Sequence, residues 1–152
     1  MEGVPTLIAV DPQRQAISGG PSVSLLRRVV ESLPLARPGR YVVYLGRPEP
    51  AAVRADQERE FAMIRNARRA VVITSGGTLL PSEAERRDPG QSSLKDLWFS
   101  AVLGDQATLA LVAQVSSERD QAWLMTDPDA VRRFIAGVEA ELASPDPQLL
   151  AV

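Results

Sequence analysis

The sequence of 152 residues contains neither cysteine nor histidine. Without cysteine it forms no disulfide, iron–sulfur cluster or thiolate nucleophile. Without histidine it has no imidazole base, no Ser-His-Asp triad and no histidine ligand for a metal. Lys95 is the single lysine, so acid–base chemistry would fall to carboxylates, hydroxyls, tyrosines or arginines. These absences favour a protein that is not an enzyme and uses no metal or cofactor.

Neither sign of charge is in large excess. The chain carries 17 basic and 19 acidic side chains, for a net charge of −2. This balance predicts no general attraction to nucleic acid or to an anionic membrane. The first residues lack a basic segment followed by a long apolar one, and no run approaches 18 apolar residues. We therefore expect a cytoplasmic protein that binds neither nucleic acid nor membrane.

Aromatic residues are few, at 5%, whereas hydrophobic residues make up 45% of the chain. This composition and length predict one globular domain with a core of Val, Leu, Ile and Ala. We place the domain at residues 1–143 and a C-terminal tail at 144–152, because the Ser144-Pro145-Asp146-Pro147 sequence cannot continue a helix.

Apolar runs alternate with amphipathic segments along the chain. Strands are predicted at 6–10, 41–45, 70–74, 97–103 and 122–126, and helices at about 25–33, 50–69, 107–115 and 128–142. Strands that alternate with helices of this length indicate a three-layer α/β sandwich. We expect about five mainly parallel strands and about four helices.

Two of the helices carry more specific predictions. Leu25, Leu26, Val29, Val30 and Leu33 form an apolar stripe, with Ser22 or Ser24 as the N-cap and Pro34 as the stop. The segment 107–115 is apolar nearly all round, which places it at the buried centre or at a subunit interface. From the interface alternative, and from a length that corresponds to one isolated domain, we predict a homodimer.

The residues that follow predicted strands are the first place to look for a ligand site. Neither G-x-G-x-x-G nor a Walker loop is present. Ser75-Gly76-Gly77-Thr78 follows a strand and is either a phosphate cradle or, more commonly, a plain turn. Asp11, Asp105 and Asp127 also follow strands and could hold Mg²⁺. Helix capping explains Asp105 and Asp127 at least as well.

The segment 79–93 has no periodicity and predicts a long loop, with a short helical turn at 82–87. Within it, Arg86 and Arg87 are the arginine pair that a helix face explains least, so they are candidates for ligand binding. Trp98 and Phe99 are adjacent on a strand and must point to opposite faces. One of them is expected in the core and the other at a pocket or an interface.

The C-terminal half also resembles a known family. The residues that carry the resemblance are Leu94-Lys95-Asp96-Leu97-Trp98, the apolar strand 99–104, the predicted helix 107–115, and Trp123-Leu124-Met125-Thr126-Asp127 before the last helix. This pattern resembles the DICT domain, a sensory module associated with diguanylate cyclases and two-component systems. The resemblance implies a cytoplasmic α/β sensory domain and assigns no catalytic residue.

Three functions remain open from the sequence. The first is a non-enzymatic sensory or regulatory domain that binds a small ligand or a signalling partner protein. The second is a nucleotide-binding domain that uses Ser75, Gly76, Gly77 and Thr78 together with Arg86 and Arg87. The third is a self-associating scaffold domain without a ligand.

Overall fold

The structure is a computed structural model that describes residues 7, 11–47, 54–74, 80–90, 92–114 and 121–143. In these residues a seven-stranded sheet is covered by three α-helices. The elements in chain order are β1 (Gln15–Ser18), α1 (Gly20–Ala36), β2 (Val42–Arg47), α2 (Arg54–Asn66), β3 (Arg69–Thr74), β4 (Ala84–Arg87), a 3₁₀ turn (Ser93–Asp96), β5 (Leu97–Leu103), β6 (Thr108–Gln114), β7 (Gln121–Met125) and α3 (Pro128–Ala143).

The sheet is mixed rather than mainly parallel. Its strand order is β1-β7-β6-β5-β2-β3-β4. Two pairings, β2–β3 and β3–β4, are parallel, and the other four are antiparallel. The parallel pair β2–β3 is the part that the alternation of strands and helices predicted correctly. The chain from β5 to β7 is instead a meander, whose antiparallel strands need no helical crossover.

Two hydrophobic clusters lie on opposite faces of the sheet and give the three layers. Val30 of α1 and Met63 and Ile64 of α2 pack against one face. Val131, Phe134, Ile135 and Val138 of α3 pack against the other.

The last helix agrees closely with its prediction. The Asp127 carboxylate accepts a hydrogen bond from the Asp129 N–H at 3.3 Å, and Pro128 opens the helix. Its apolar stripe is buried as expected, with Leu142 packed partly buried against the same cluster.

The segment 107–115 is not a helix. Residues 108–114 form β6, which lies between β5 and β7. Its side chains alternate between the two clusters, with Leu111 in one and Val112 in the other. A central strand with both faces covered is apolar at every position, as a buried helix is. This segment therefore gives no support to the predicted homodimer, which stays a prediction.

The first helix differs in detail from its prediction. Its N-cap residue is Gly19, with a φ of 96° and no side-chain capping hydrogen bond, so neither Ser22 nor Ser24 is the cap. The helix continues through Pro34 to residue 36. Its buried face centres on Val30, with Leu26 and Leu33 packed beside it. Leu25 and Val29 are instead exposed.

The two edge strands of the sheet, β1 and β4, were not predicted. The predicted loop and helical turn around Ser82 contain the edge strand β4, which pairs with β3. Strand β1 has only four residues, which is too short for an alternating hydrophobic pattern to be recognised.

The predicted strand 6–10, apart from residue 7, and the predicted tail lie outside the described residues. No helix among the described residues is long and apolar enough to cross a membrane.

Candidate functional site

Trp98 and Phe99 lie on opposite faces of β5, as predicted. Phe99 is fully buried and contacts Phe134 of α3 edge-to-face, with ring centroids 5.1 Å apart. Trp98 is half-buried on the face covered by α1 and α2. Only Trp98 is therefore placed to contact a ligand.

Two guanidinium groups lie over the Trp98 ring. The Arg47 Cζ is 4.5 Å from the ring centroid, and the Arg27 Cζ is 5.0 Å away. Both distances are within the range of a cation–π interaction, which contributes about 0.5–2 kcal/mol depending on desolvation. Trp98 is thus the apolar part of a positively charged cluster.

The carboxylate of Glu31 in α1 is fully buried and accepts hydrogen bonds from several residues around Trp98. It accepts hydrogen bonds from Arg27 Nε at 3.1 Å and Arg59 Nε at 3.2 Å. It also accepts from Arg47 Nη2 at 3.1 Å and Ser100 Oγ at 2.8 Å. Glu31 is consequently bonded to both covering helices and to two strands of the sheet.

Arg47, the last residue of β2, is fixed from several directions. Its Nε donates to the Glu60 carboxylate of α2 at 2.5 Å. Its Nη1 donates to the carbonyl oxygens of Phe99, at 2.7 Å, and Gly46, at 3.1 Å. Its Nη2 donates to Ser100 Oγ at 2.9 Å. A guanidinium with this many acceptors holds one orientation, so it is a fixed positive charge against the Trp98 ring.

Two opposing effects, burial and the neighbouring arginines with Ser100, determine the protonation state of Glu31. Burial raises the pKa of this carboxyl, but Arg47, Arg27 and the Ser100 hydroxyl outweigh that effect and bring the pKa below its ordinary value. Glu31 is therefore ionised at neutral pH. Within the described residues this cluster, which we call the Trp98 site, contains three arginines and two glutamates. Its members are Arg27, Glu31, Arg47, Arg59, Glu60, Trp98 and Ser100.

The Trp98 site lies at the carboxyl end of the parallel pair β2 and β3. Arg47 ends β2 and the buried Thr74 ends β3. Arg27 lies in the N-terminal half of α1, and Arg59 lies near the middle of α2. Open α/β sheets commonly bind ligands at the carboxyl ends of their parallel strands. The site therefore occupies a usual position for a binding site in this kind of sheet.

The other predicted site residues do not join Trp98. Ser75, Gly76, Gly77 and Thr78 lie outside the described residues. Arg86 is exposed on the edge strand β4.

Arg87 lies on the opposite side of the sheet from Trp98. Its Nη1 forms an ion pair with Glu139 of α3 at 3.1 Å. Phe99 belongs to the α3 face as well, so the predicted group of ligand-binding residues is not brought together.

The predicted acidic pocket is not formed either. Among the described residues, no group of three or more acidic side chains could hold a metal ion. Asp127 caps α3, and the Asp11 carboxylate accepts from the Gln13 N–H at 2.9 Å within its own turn. Asp105 lies on the turn between β5 and β6.

Sequence reasoning missed most members of the Trp98 site, although two signals were present. Ser100 is the one polar residue in the run Leu97–Leu103, and a lone polar group in a buried strand needs a partner. Arg47 is the second residue after the predicted strand 41–45, where a ligand site was expected. Nothing in the sequence pairs Glu31 with these residues, since they are distant along the chain.

Comparison with known proteins assigns this chain to no family. No family model matches the chain, and no curated protein matches it significantly. The chain is similar to a solved structure described as "TrmBL2, an archaeal chromatin protein" with "a novel mode of DNA binding". The identity is 11% and the TM-score is 0.47, over 86% of this chain and 55% of that one. This chain thus spans about half the length of its neighbour, and a likeness at this level does not assign a function.

The expectation that nucleic acid is excluded as a partner is corrected. The structural neighbour is described as a DNA-binding protein, so the comparison does not support the exclusion. The physical error lies in using a net charge, which is a sum over all faces. A chain with net charge −2 can still present a basic face.

Proposed function

We propose that this chain is a non-enzymatic regulatory domain that binds a small organic anion at the Trp98 site. The observation that carries the proposal is the half-buried Trp98 ring with the guanidinium groups of Arg27 and Arg47 within 5.0 Å of its centroid. An aromatic face beside arginine forks suits a ligand with a planar apolar part and a carboxylate or phosphate. The sensory role implied by the DICT resemblance is compatible with such binding and stays a prediction.

The geometry around Ser100 argues against a catalytic serine. Its hydroxyl donates to the Glu31 carboxylate at 2.8 Å, as an activated serine donates to its base. Both residues, however, are 0% exposed, so a substrate has no access to the hydroxyl. The lowered pKa of Glu31 also makes this carboxylate a weak base. The pair therefore acts as a support for Arg47.

The site offers a route from binding to conformational change. Arg27 of α1 and Arg59 of α2 both donate to Glu31. An incoming anion would compete with Glu31 for these guanidinium groups. Because the two arginines belong to different helices, a ligand that binds one arrangement more tightly shifts α1 relative to α2. This relative shift is the signal that a regulatory domain would transmit.

A thermal-denaturation experiment with matched compounds tests the proposal. Benzoate is compared with neutral benzyl alcohol, and AMP is compared with adenosine. A ligand at ten times its Kd stabilises the fold by about 1.4 kcal/mol, which raises Tm by about 3–6 °C for a chain of this size. We expect at least one anion to raise Tm and its neutral partner to leave Tm unchanged.

Two variants locate the effect. Arg59→Gln removes a charge from the site, whereas Arg28→Gln removes one from an exposed position on α1. The anion effect should be lost in the first variant and kept in the second. The proposal is wrong if no anion raises Tm, or if Arg59→Gln responds as the unmodified chain does. A response to AMP but not to benzoate would favour the nucleotide-binding alternative.

A further inference from the structure

Four exposed arginines lie at the amino end of β2 and β3, opposite the Trp98 site. Arg37 and Arg40 lie on the connection from α1 to β2, and Arg65 and Arg68 lie where α2 leads into β3. The side chains of all four are exposed. We call this set the arginine edge.

Backbone hydrogen bonds hold the two connections together. The Gly39 N–H donates to the Asn66 carbonyl at 2.7 Å, and the Arg68 N–H donates to the Tyr41 carbonyl at 2.8 Å. Gly39 has a φ of 77°, a conformation that favours glycine and allows the tight turn. The four arginines therefore extend from one fixed platform rather than from two independent loops.

The arginine edge lacks the pairing seen elsewhere. None of its four guanidinium groups forms an ion pair within the part of the chain that the structure describes. Arg65 lies over the Phe61 ring, with its Cζ 6.0 Å from the centroid. By contrast, Arg47 and Arg87 both pair with carboxylates. An unpaired cluster of like charge is stabilised by an anionic partner.

A shallow cavity of about 140 Å³ opens beside these residues. It is lined by Arg37, Arg40, Tyr41, Asp105 and Gln106. Asp105 is the acidic member of the lining, and the exposed Glu83 precedes β4 at the same end of the sheet, so the four arginines outnumber the carboxylates there. Asp127 and Asp129 lie farther along the same edge, beyond β5 and β6, and Asp129 is paired with Arg132.

We propose that the arginine edge binds the phosphate backbone of a nucleic acid duplex without reading its sequence. Arginine forks match phosphate oxygens, and a duplex presents closely spaced charges that several fixed arginines can contact together. Tyr41, the aromatic side chain of the cavity, is 3% exposed and offers no face on which an unpaired base could stack. The chemistry therefore favours a duplex backbone over a single strand.

Fluorescence anisotropy with a labelled 20-base-pair DNA duplex tests the proposal on the full chain. Log affinity should fall linearly with log salt concentration, with a slope of about −0.9 for each phosphate contact. Two unrelated duplex sequences should bind equally. Arg37→Gln/Arg68→Gln should lower affinity at least tenfold in low salt and make the slope shallower by about 1.8.

A matched control keeps the charge change equal. Arg28→Gln/Arg133→Gln also removes two exposed arginines, on α1 and α3, and should change affinity by less than threefold. Asp105→Asn should tighten binding, because it removes the negative charge from the cavity lining. Unchanged Tm values in all these variants would show that the exposed positions leave the fold intact. If the arginine-edge double variant loses stability, the single variants Arg37→Gln and Arg68→Gln carry the same comparison against Arg28→Gln.

Three outcomes would overturn the proposal. The first is no saturable duplex binding in low salt. The second is an equal loss of affinity in both double variants, which would indicate a general charge effect. The third is displacement of the duplex by poly-glutamate at equal charge concentration, which would assign the surface to acidic polypeptides.

Discussion

Glu31 illustrates how a buried charge is accommodated in this protein. Its carboxylate is fully buried, yet it accepts hydrogen bonds from three arginines and a hydroxyl. Such a network costs desolvation energy, and its pairing offsets that cost only while every partner is present. The described side chains contain no buried polar atom without a hydrogen-bond partner. Removing one member should therefore be costly.

We predict that Glu31→Gln destabilises the fold by about 3–5 kcal/mol at pH 7, the usual range for breaking a buried ion pair. The neutral amide leaves Arg47 with Glu60 as its remaining carboxylate partner. Urea denaturation measures the change. Glu58→Gln, at an exposed position of α2, is the matched control and should change stability by less than 1 kcal/mol. Equal effects of the two substitutions would contradict the prediction.

The pH dependence of stability gives a second prediction for the same residue. The folded-state pKa of Glu31 is lowered, so its ionised form stabilises the fold above the unfolded pKa of about 4.3. That contribution is lost as the pH falls from about 5 towards the folded-state pKa. The Tm of the unmodified chain should fall more steeply from pH 5 to pH 3 than the Tm of Glu31→Gln. Parallel curves would show that Glu31 is not linked to stability.

Gly46 lies inside the buried strand β2, at a position where a larger residue does not fit. A Cβ at this position would overlap the Phe99 ring. We predict that Gly46→Ala costs about 1–3 kcal/mol, as overpacking of a core commonly does. The cost should be smaller in a Phe99→Leu background, because the smaller side chain leaves room. A double-mutant cycle by urea denaturation measures this coupling, and additive effects would contradict the account.

At the scale of elements, the sequence correctly predicts those strands and helices whose hydrophobic periodicity fits only one type of secondary structure. Strands β2, β3, β5 and β7 and helix α3 were predicted close to their observed bounds. Leu109 to Ala113 could not be assigned by periodicity, because a run without polar residues fits a central strand and a buried helix equally. The hydrogen bonds that decide between them come from β5 and β7, which are distant in sequence.

The Trp98 site was less predictable than the fold for a related reason. The sequence pointed to Trp98 and to the residues after the predicted strand 41–45, but the partners Glu31 and Glu60 come from α1 and α2, and Ser100 was not singled out on β5. Glu31 lies outside the apolar stripe predicted for α1, where an exposed charge is the usual interpretation. Only the packing of α1 and α2 over β5 identifies it as buried.

Hydrogen exchange tests the placement of β6. Its amides should exchange slowly, since the strand lies between two antiparallel neighbours at the centre of the sheet. The amides of β4, a four-residue edge strand with exposed side chains, should exchange much faster. Exchange at residues 109–113 as fast as at residues 84–87 would show that β6 is not a central strand.

At the scale of the whole molecule, the two proposed binding surfaces lie at opposite ends of β2. Arg47 marks the carboxyl end, and Arg40 lies just before the amino end. A strand of six residues separates them by roughly 17 Å. This separation exceeds the Debye length at physiological ionic strength, about 8 Å, so their direct electrostatic coupling is small. Arg37→Gln/Arg68→Gln should therefore leave the response to small anions unchanged.

The most direct test of the account is the fluorescence of Trp98 itself. Trp98 and Trp123 are the two tryptophans of the chain, so Trp123→Phe leaves Trp98 as the single reporter. Titration with benzoate should change its emission with a saturable dependence, whereas neutral benzyl alcohol should not, and Arg59→Gln should abolish the benzoate response. Emission that stays constant with both benzoate and AMP, or that changes equally with benzyl alcohol, would contradict the assignment of Trp98 and its arginines as an anion-binding site.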